Sequence, residues 1–197
     1  AGSVAAGYPA ALTVHGAIPD GMGGTMREHA MYRGWGAALA AEGAVGLMLD
    51  HSLDWPRLNL DVALGEVDQV LSWVSTHGAE RGIDTSRMTG VLVSAGGVLA
   101  PELLCGDRPL SLRGASLLSP LTGDPSLDAD PSSRHSLAEA ASELAALGRR
   151  LQIFRAGGDA PGLLQLLDHA VTRLLAADVD LAIHNLPKAP HCYEVHL

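Results

Sequence analysis

The sequence predicts an α/β fold in which a mainly parallel sheet of about six strands carries helices on both faces. Short apolar runs alternate along the chain with longer segments whose apolar residues recur at helical spacing, as in repeated βα units around a parallel sheet. The chain has 197 residues, of which 47% are hydrophobic and 18% are charged. This size and composition are typical of one globular domain, and we interpret residues 1–197 as a single domain.

The first half of the chain predicts two strand–helix units. An apolar strand over 11–16 ends at a glycine, and a helix over 26–43 follows it. A second strand covers 44–50 and a second helix covers 60–78. The first helix ends at Gly43, a residue type preferred just after a helix C-terminus. The buried face of the second helix should carry Val62, Val67, Val70, Leu71 and Val74.

The second half of the chain predicts the rest of the sheet. Its four apolar runs predict strands over 88–93, 114–120, 151–157 and 180–186. A tight turn follows the first of these strands, and a helix begins near Gly96. A further helix over 162–178 connects the last two strands.

One segment departs from the strand–helix alternation. Residues 121–135 are rich in Pro, Ser and Asp and lead into a helical pattern over 136–148. Such a composition is typical of a surface loop. We interpret 121–147 as an excursion over the sheet that could act as a lid.

Charge and cysteine content exclude several classes of partner. The 22 acidic and 13 basic residues give a net charge of −9, which disfavours nucleic acid and anionic membranes. No apolar run approaches the ~20 residues of a membrane span. The two cysteines cannot form a disulfide framework, which suits a reducing compartment. With no signal-peptide pattern at the N-terminus, we expect a soluble cytoplasmic protein.

Polar residues that can carry chemistry follow several predicted strands. His15, Ser94, Asp159 and His191 all lie at or just beyond the carboxyl end of a strand. In an open parallel sheet, these ends meet at one rim, where ligands bind. A serine hydroxyl is a weak nucleophile that needs a base, an acid that orients the base, and donors for the oxyanion. Ser94, His191 and Asp159 can supply the first three.

The motifs around these residues resemble those of the α/β-hydrolase superfamily. The nucleophile, acid and base follow one another along the chain in the order of that superfamily, Ser, Asp and then His. The segment "RGIDTSRMTGVLVSAGG" and the small size most resemble its dienelactone-hydrolase-like branch. The motifs that carry the resemblance are "HGAIPDG" for the oxyanion loop, "LVSAGG" for the nucleophile elbow, "AGGD" for the acid loop and "APHCYEV" for the histidine loop.

The resemblance implies a fold and a set of roles. The sheet should have the 4-3-5-6-7-8 strand order of the superfamily. Ser94 should attack a carbonyl carbon, His191 should take and return the proton, and Asp159 should stabilise the imidazolium. The backbone N–H of Ala95, at a helix N-terminus, should bind the oxyanion, together with an N–H from the loop after the first strand. For that second donor Ala17 is the first candidate, followed by Ile18.

One position departs from the superfamily pattern. The elbow motif is G-x-S-x-G, and this chain has Leu92 where the first glycine stands. A small residue is usual there because strand and helix approach closely. Leu92 therefore predicts either a more open turn or a helix that packs further from the strand.

Structural interpretations compete with each catalytic one. Ser94 could be only a small residue in a strand-to-helix turn, and His191 could be a surface histidine beside a proline. Asp159 could be a helix cap. The other candidates for the acid are the lid residues Asp124, Asp128 and Asp130.

The remaining histidines and cysteines favour structural interpretations. His184, His191 and His196 lack a fourth ligand for a tetrahedral metal site, so neither a metal nor another cofactor is predicted. We interpret Cys192 as a packing residue and His15 as a support of the oxyanion loop.

The predicted function is serine-dependent acyl transfer through an acyl-enzyme, with a small-molecule ester or thioester as substrate. Water as acceptor would make the protein an esterase or thioesterase. An alternative, implied by resemblance to hydrolase-like proteins of thiopeptide side-ring biosynthesis, is an acyltransferase. It would move an indolic acyl group from an acyl carrier protein to a peptide natural-product intermediate. A third alternative, suggested by Leu92, is a catalytically inactive hydrolase fold that serves as a binding module.

Overall fold

The computed structural model describes residues 7–19, 25–55, 58–123 and 136–193. Within these ranges the central element is a six-stranded parallel sheet. Its strands, with those of a small second sheet, are β1 (Tyr8–Val14), β2 (Ile18–Pro19), β3 (Val45–Met48), β4 (Asp54–Trp55), β5 (Ile83–Val93), β6 (Gly114–Leu118), β7 (Arg150–Ala156) and β8 (Asp180–Leu186). The part of the chain that the structure describes has five α-helices: α1 (Ala30–Ala41), α2 (Leu60–His77), α3 (Ala100–Cys105), α4 (Ala141–Ala146) and α5 (Pro161–Ala176).

The strand order across the main sheet is β3-β1-β5-β6-β7-β8. In superfamily numbering β1 is strand 3 and β3 is strand 4, and β5 to β8 are strands 5 to 8. The observed order is therefore the predicted 4-3-5-6-7-8 order. All neighbouring strands are parallel, so their carboxyl ends lie at one rim. The β1 to β5 and β5 to β6 registers bring Val14 beside Leu92 and Leu118 beside Val93.

The hydrophobic core lies mainly on one face of the sheet. In β7, Leu151 and Ile153 are buried while Gln152 and Phe154 on the opposite face are half-buried, as the two-residue period of a strand requires. Buried residues of α2, α3, α4 and α5 belong to the same core cluster as the strands. Helix α1 packs instead against β3.

The buried face of α2 differs from the prediction at one position. Val62 was predicted to be buried but is 54% exposed. Ala63 and Val67 occupy the buried stripe, four residues apart, and Val62 is turned away from that stripe by the 3.6-residue period. The buried residues of α2 are Leu60, Ala63, Leu64, Val67, Leu71 and Val74.

The segment after β5 also differs from the prediction of a helix beginning near Gly96. Residues Ser94–Leu99 form a 3-10 helix, and α3 begins only at Ala100. Two glycines at 96 and 97 disfavour a regular α-helix, since glycine has a low helix propensity. This segment packs against the end of β1 at Gly96 and against the residues after β6 at Gly97.

The small second sheet is absent from the sequence-based prediction. It pairs β2 with β4 in parallel, Ile18 with Asp54 and Pro19 with Trp55. The elements are two residues long, too short to give a periodic pattern. They join the loop after β1 to the loop after β3, at the rim where the predicted site residues lie.

Some residues named in the sequence analysis lie in parts of the chain that the structure does not describe. Residues 124–135 of the predicted lid, which include the acid candidates Asp124, Asp128 and Asp130, lie outside the described residues, and so does His196. Within the described ranges, no helix is both long and apolar enough to cross a membrane.

Candidate active site

Ser94 lies at the turn between β5 and the 3-10 helix. Its φ of 49° is in the left-handed region, which a non-glycine residue rarely adopts. This backbone strain is typical of functional sites. The preceding residue, Val93, is still extended, so the chain reverses sharply at the serine and presents its Oγ at the rim of the sheet.

Two glycines allow the backbone to pack closely around Ser94. A Cβ on Gly16 would lie 2.9 Å from the Cβ of Ser94. A Cβ on Gly96 would lie 2.8 Å from the carbonyl oxygens of Val14 and His15. Both distances are shorter than side-chain contacts allow, so glycine is required by close approach at each position.

Leu92 does not prevent the sharp turn. Its side chain is fully buried in the core cluster, and the left-handed conformation of Ser94 is present all the same. The backbone approaches the end of β1 most closely at Gly96, and that position requires a glycine. The first glycine of the motif is not required, because the large apolar side chain of Leu92 fits two residues before Ser94.

A chain of hydrogen bonds links Ser94 to the other two predicted residues. The Oγ of Ser94 is 2.7 Å from Nε2 of His191. The Nδ1–H of His191 donates to Oδ2 of Asp159 at 2.7 Å. The side chain of Asp159 is 7% exposed and that of His191 is 35% exposed. The structure thus brings together three residues that are 97 and 32 positions apart in the sequence.

The loop after β7 holds Asp159 beside the histidine loop. The N–H of Gly158 donates to the carbonyl of Ala189 at 2.9 Å, and a Cβ on Gly157 would lie 2.7 Å from Pro187. These contacts bind the two loops together. The second carboxylate oxygen of Asp159 accepts from the N–H of Ala160 at 2.7 Å, beside the N-terminus of α5.

The histidine loop is also anchored to the end of β6, a contact that the sequence did not reveal. The N–H of Cys192 donates to Oγ of Ser119 at 3.2 Å. Both residues have positive φ, 52° for Cys192 and 38° for Ser119. The sequence predicted a strand over 114–120, which placed Ser119 inside the strand, whereas β6 ends at Leu118 and Ser119 lies at the rim. No signal in the sequence therefore marked Ser119.

The surroundings of His191 stabilise its protonated form. A side-chain hydrogen bond with Cys192 is the largest cause, and the hydrogen bond and negative charge of Asp159 act in the same direction. Burial opposes them because it disfavours a charged imidazole. The contacts with Cys192 and Asp159 outweigh burial and raise the pKa of His191 to about 9.

This pKa predicts the pH dependence of any reaction in which His191 acts as a base. Only the neutral imidazole can accept a proton, so the acylation rate should fall about tenfold per pH unit below a midpoint near 9. Replacement Cys192→Ala removes the largest cause and should move the midpoint towards the ordinary value of 6.5. The measurement is kcat/KM for p-nitrophenyl butyrate from pH 5 to 10.

Cys105→Ala is the matched control, since Cys105 is the other free cysteine and lies in α3. Its midpoint should equal that of the wild type. An unchanged midpoint in Cys192→Ala would contradict the stated origin of the shift.

The two predicted oxyanion donors belong to segments that adjoin Ser94: Ala95 follows it in the chain, and Gly16, which precedes Ala17, packs against its side chain. Ala95 is in the first turn of the 3-10 helix, where N–H groups lack intrahelical partners. In the loop after β1, the N–H of Ile18 donates to the carbonyl of Leu53 at 3.1 Å. This bond occupies Ile18, so Ala17 remains the better candidate of the two.

His184, which the sequence analysis considered as a metal ligand, lies away from this group. Its ring stacks on Phe154 with centroids 4.6 Å apart, and its Nε2 is 2.8 Å from the amide of Gln152. Across the described ranges, no three His, Cys, Asp or Glu side chains are grouped so that they could hold a metal ion.

Comparison with known proteins places the fold. No protein-family model matches the chain, and no curated protein matches it. Several solved structures are similar to the chain in fold. A sugar hydrolase from Lactococcus lactis is similar with a TM-score of 0.71 and 20% identity, over 94% of this chain and 76% of that one.

Two esterases are similar to a comparable degree. A thermostable esterase from Pseudomonas putida has a TM-score of 0.70 and 21% identity, over 96% of this chain and 67% of that one. A thermophilic esterase from Thermogutta terrifontis, solved with butyrate bound, has a TM-score of 0.67 and 16% identity, over 96% of this chain and 76% of that one. The chain thus has the α/β-hydrolase fold.

Proposed function

We propose that this protein is a serine hydrolase that cleaves small carboxylic esters through an acyl-enzyme intermediate. The observation that carries the proposal is the hydrogen-bonded sequence from Asp159 through His191 to Ser94. The strained backbone of Ser94 and the esterases of the same fold support it. Together they make a binding module without catalysis the weaker interpretation, because such a module has no use for a strained serine beside a base.

The proposed first half-reaction forms an ester bond to Ser94. Its Oγ attacks the substrate carbonyl carbon as neutral His191 accepts the hydroxyl proton at Nε2. Asp159 accepts a hydrogen bond from Nδ1–H and stabilises the imidazolium that results. Collapse of the tetrahedral intermediate breaks the bond to the leaving group, which receives the proton from His191. In the second half-reaction water replaces the leaving group, and the same proton transfers regenerate free Ser94.

The proposed oxyanion donors are the backbone N–H groups of Ala95 and Ala17. Negative charge develops on the carbonyl oxygen only as the tetrahedral intermediate forms, so donors aimed at that position lower the barrier selectively. The 3-10 helix places Ala95 at a helix N-terminus, which favours an anion. Gly16 brings the loop that carries Ala17 against Ser94.

The acceptor of the acyl group determines the finer function. Water gives an esterase or thioesterase, and an amine or hydroxyl group docked in place of water gives an acyltransferase. The dienelactone-hydrolase-like branch, a carrier-protein partner and an indolic acyl group belong to this finer proposal. Their common requirement is an acyl-enzyme at Ser94.

A burst experiment tests the proposed function. Rapid mixing with p-nitrophenyl butyrate should release nitrophenol in a burst that approaches one equivalent of enzyme when deacylation is slower than acylation. Added hydroxylamine should then divert part of the acyl group to the hydroxamate, and the product ratio measures the preference for water. A folded protein that releases no nitrophenol above the uncatalysed rate would contradict the proposal.

Asp159→Asn tests which carboxylate orients the base. In this variant the amide oxygen should retain the bond from the N–H of Ala160, so the NH2 group faces Nδ1 of His191 and holds the ring in the tautomer that carries its proton on Nε2. That tautomer cannot accept the Ser94 proton, so we expect kcat to fall about 10⁴-fold with little change in KM. The control is Asp168→Asn, since Asp168 lies in α5 and its carboxylate pairs with Arg155 and not with His191. A loss of less than tenfold in Asp159→Asn would assign the acid to another residue.

A further inference from the structure

A second buried histidine, His51, lies beside the loop after β1. It is 6% exposed and follows β3, the neighbour of β1 in the sheet. Its ring stacks on that of His15 with centroids 3.6 Å apart and an interplanar angle of 15°. Because His15 immediately precedes Gly16, the stack lies directly behind the segment that touches Ser94.

Two hydrogen bonds fix the orientation of the His51 ring. Its Nδ1 accepts from the N–H of Leu53 at 3.2 Å, and Nε2–H therefore donates to the carbonyl of His15, also at 3.2 Å. Burial and the adjacent His15 lower the pKa of His51 to about 3. The ring is neutral at ordinary pH, which is the form that can accept with one nitrogen while it donates with the other.

Leu53 also holds the loop after β1, and we call His51 and Leu53 together the bracket. Its carbonyl accepts from the N–H of Ile18, while its own N–H holds His51. The carbonyl of His15 and the N–H of Ile18 are thus both bound by residues 51–53. Only Gly16 and Ala17 lie between these two fixed points.

The bracket limits how far Ala17 can move relative to Ser94. Gly16 packs against the Ser94 side chain in front, and His51 and Leu53 hold the loop from behind. An oxyanion donor contributes to catalysis only when it is fixed before the charge develops, since reorganisation during the reaction costs free energy. A hydrogen bond from a rigid, buried ring supplies that restraint.

We propose that His51 is a positioning residue of the oxyanion hole: its Nε2–H bond to the His15 carbonyl and its stack on the His15 ring hold the N–H of Ala17 towards Ser94. This proposal rests on the proposed function. His51 does not contact the substrate or exchange a proton. Its contribution should appear in the transition state and not in substrate binding.

Two amide variants separate the two hydrogen bonds of His51. The amide of His51→Gln can reach the position of Nε2 and donate to the His15 carbonyl. The amide of His51→Asn reaches only the position of Nδ1, so it retains the Leu53 contact and loses the one to His15. We expect His51→Asn to lower kcat for p-nitrophenyl butyrate by about 10- to 100-fold with KM within about twofold of the wild type. His51→Gln should recover most of this loss.

His184→Asn is the matched control. His184 also stacks on an aromatic ring and interacts with a polar neighbour, but it lies on β8 away from Ser94. Its kcat should equal that of the wild type. The pH midpoint of His51→Asn should also be unchanged, because the bonds among Ser94, His191 and Asp159 remain.

The outcomes separate this proposal from the proposed function. Labelling of Ser94 by a fluorophosphonate in the wild type, together with an unslowed His51→Asn, would overturn the role of His51 alone. So would a loss confined to KM, or a His51→Gln variant as slow as His51→Asn. A folded wild type that is never labelled would overturn both. Should His51→Asn not fold, His51→Phe retains the stacked ring and removes both hydrogen bonds; an unslowed His51→Phe would then overturn the role of His51.

Discussion

Replacement of Ser94 by alanine should lower kcat for p-nitrophenyl butyrate by roughly 10⁴- to 10⁶-fold. The hydroxyl forms the covalent bond in the proposed mechanism, and it is 2.7 Å from Nε2 of His191, the proposed base. Binding and the oxyanion donors would remain, so a small residual rate above the uncatalysed reaction should persist. The burst of nitrophenol should disappear completely.

The control for this variant is Ser116→Ala. Ser116 is a half-buried serine on β6 whose hydroxyl bonds to Gln152, on the sheet and away from the rim. Its activity should remain within about twofold of the wild type. Alanine at position 94 should relieve little of the backbone strain. A folded Ser94→Ala with near-normal turnover would place the nucleophile elsewhere.

His191→Ala should lower the acylation rate by a similar factor, roughly 10⁴- to 10⁶-fold. Without the imidazole, the Ser94 hydroxyl has no base within hydrogen-bond reach among the described residues. His191 is exposed on one side, so the variant should fold, as circular dichroism and thermal unfolding can verify. Fluorophosphonate labelling should slow in proportion to kcat.

The double variant Ser94→Ala/His191→Ala sharpens this prediction. Residues that act as one unit give non-additive losses, so the double variant should be about as slow as either single variant. His184→Ala, which removes an exposed ring from β8, should have no effect. Losses that multiply in the double variant would mean that the serine and the histidine act independently.

The sheet could be predicted from the sequence because buried parallel strands are short apolar runs separated by amphipathic helices. β8 was predicted with its observed bounds, and α2 within one residue at its C-terminus. The predicted Gly43 cap has φ of 77°, as a left-handed residue after a helix requires. The helical pattern failed in the 3-10 turn after Ser94, where the low helix propensity of Gly96 and Gly97 disfavours a regular α-helix.

The candidate site was predictable for a different reason. A parallel sheet brings its strand ends to one rim, so Ser94, Asp159 and His191 could be grouped from their positions after three strands. The bracket of His51 and Leu53 could not be derived in this way. It depends on a ring stack and on the two-residue strands β2 and β4, none of which leaves a periodic signal.

The most direct test of the account is intact mass spectrometry of the wild-type protein after reaction with a fluorophosphonate, followed by peptide mapping. The account predicts one phosphonyl adduct per chain, on the peptide that contains Ser94, and no adduct in Ser94→Ala. A folded wild type that gains no mass, or one that is modified at another residue and equally in Ser94→Ala, would contradict it.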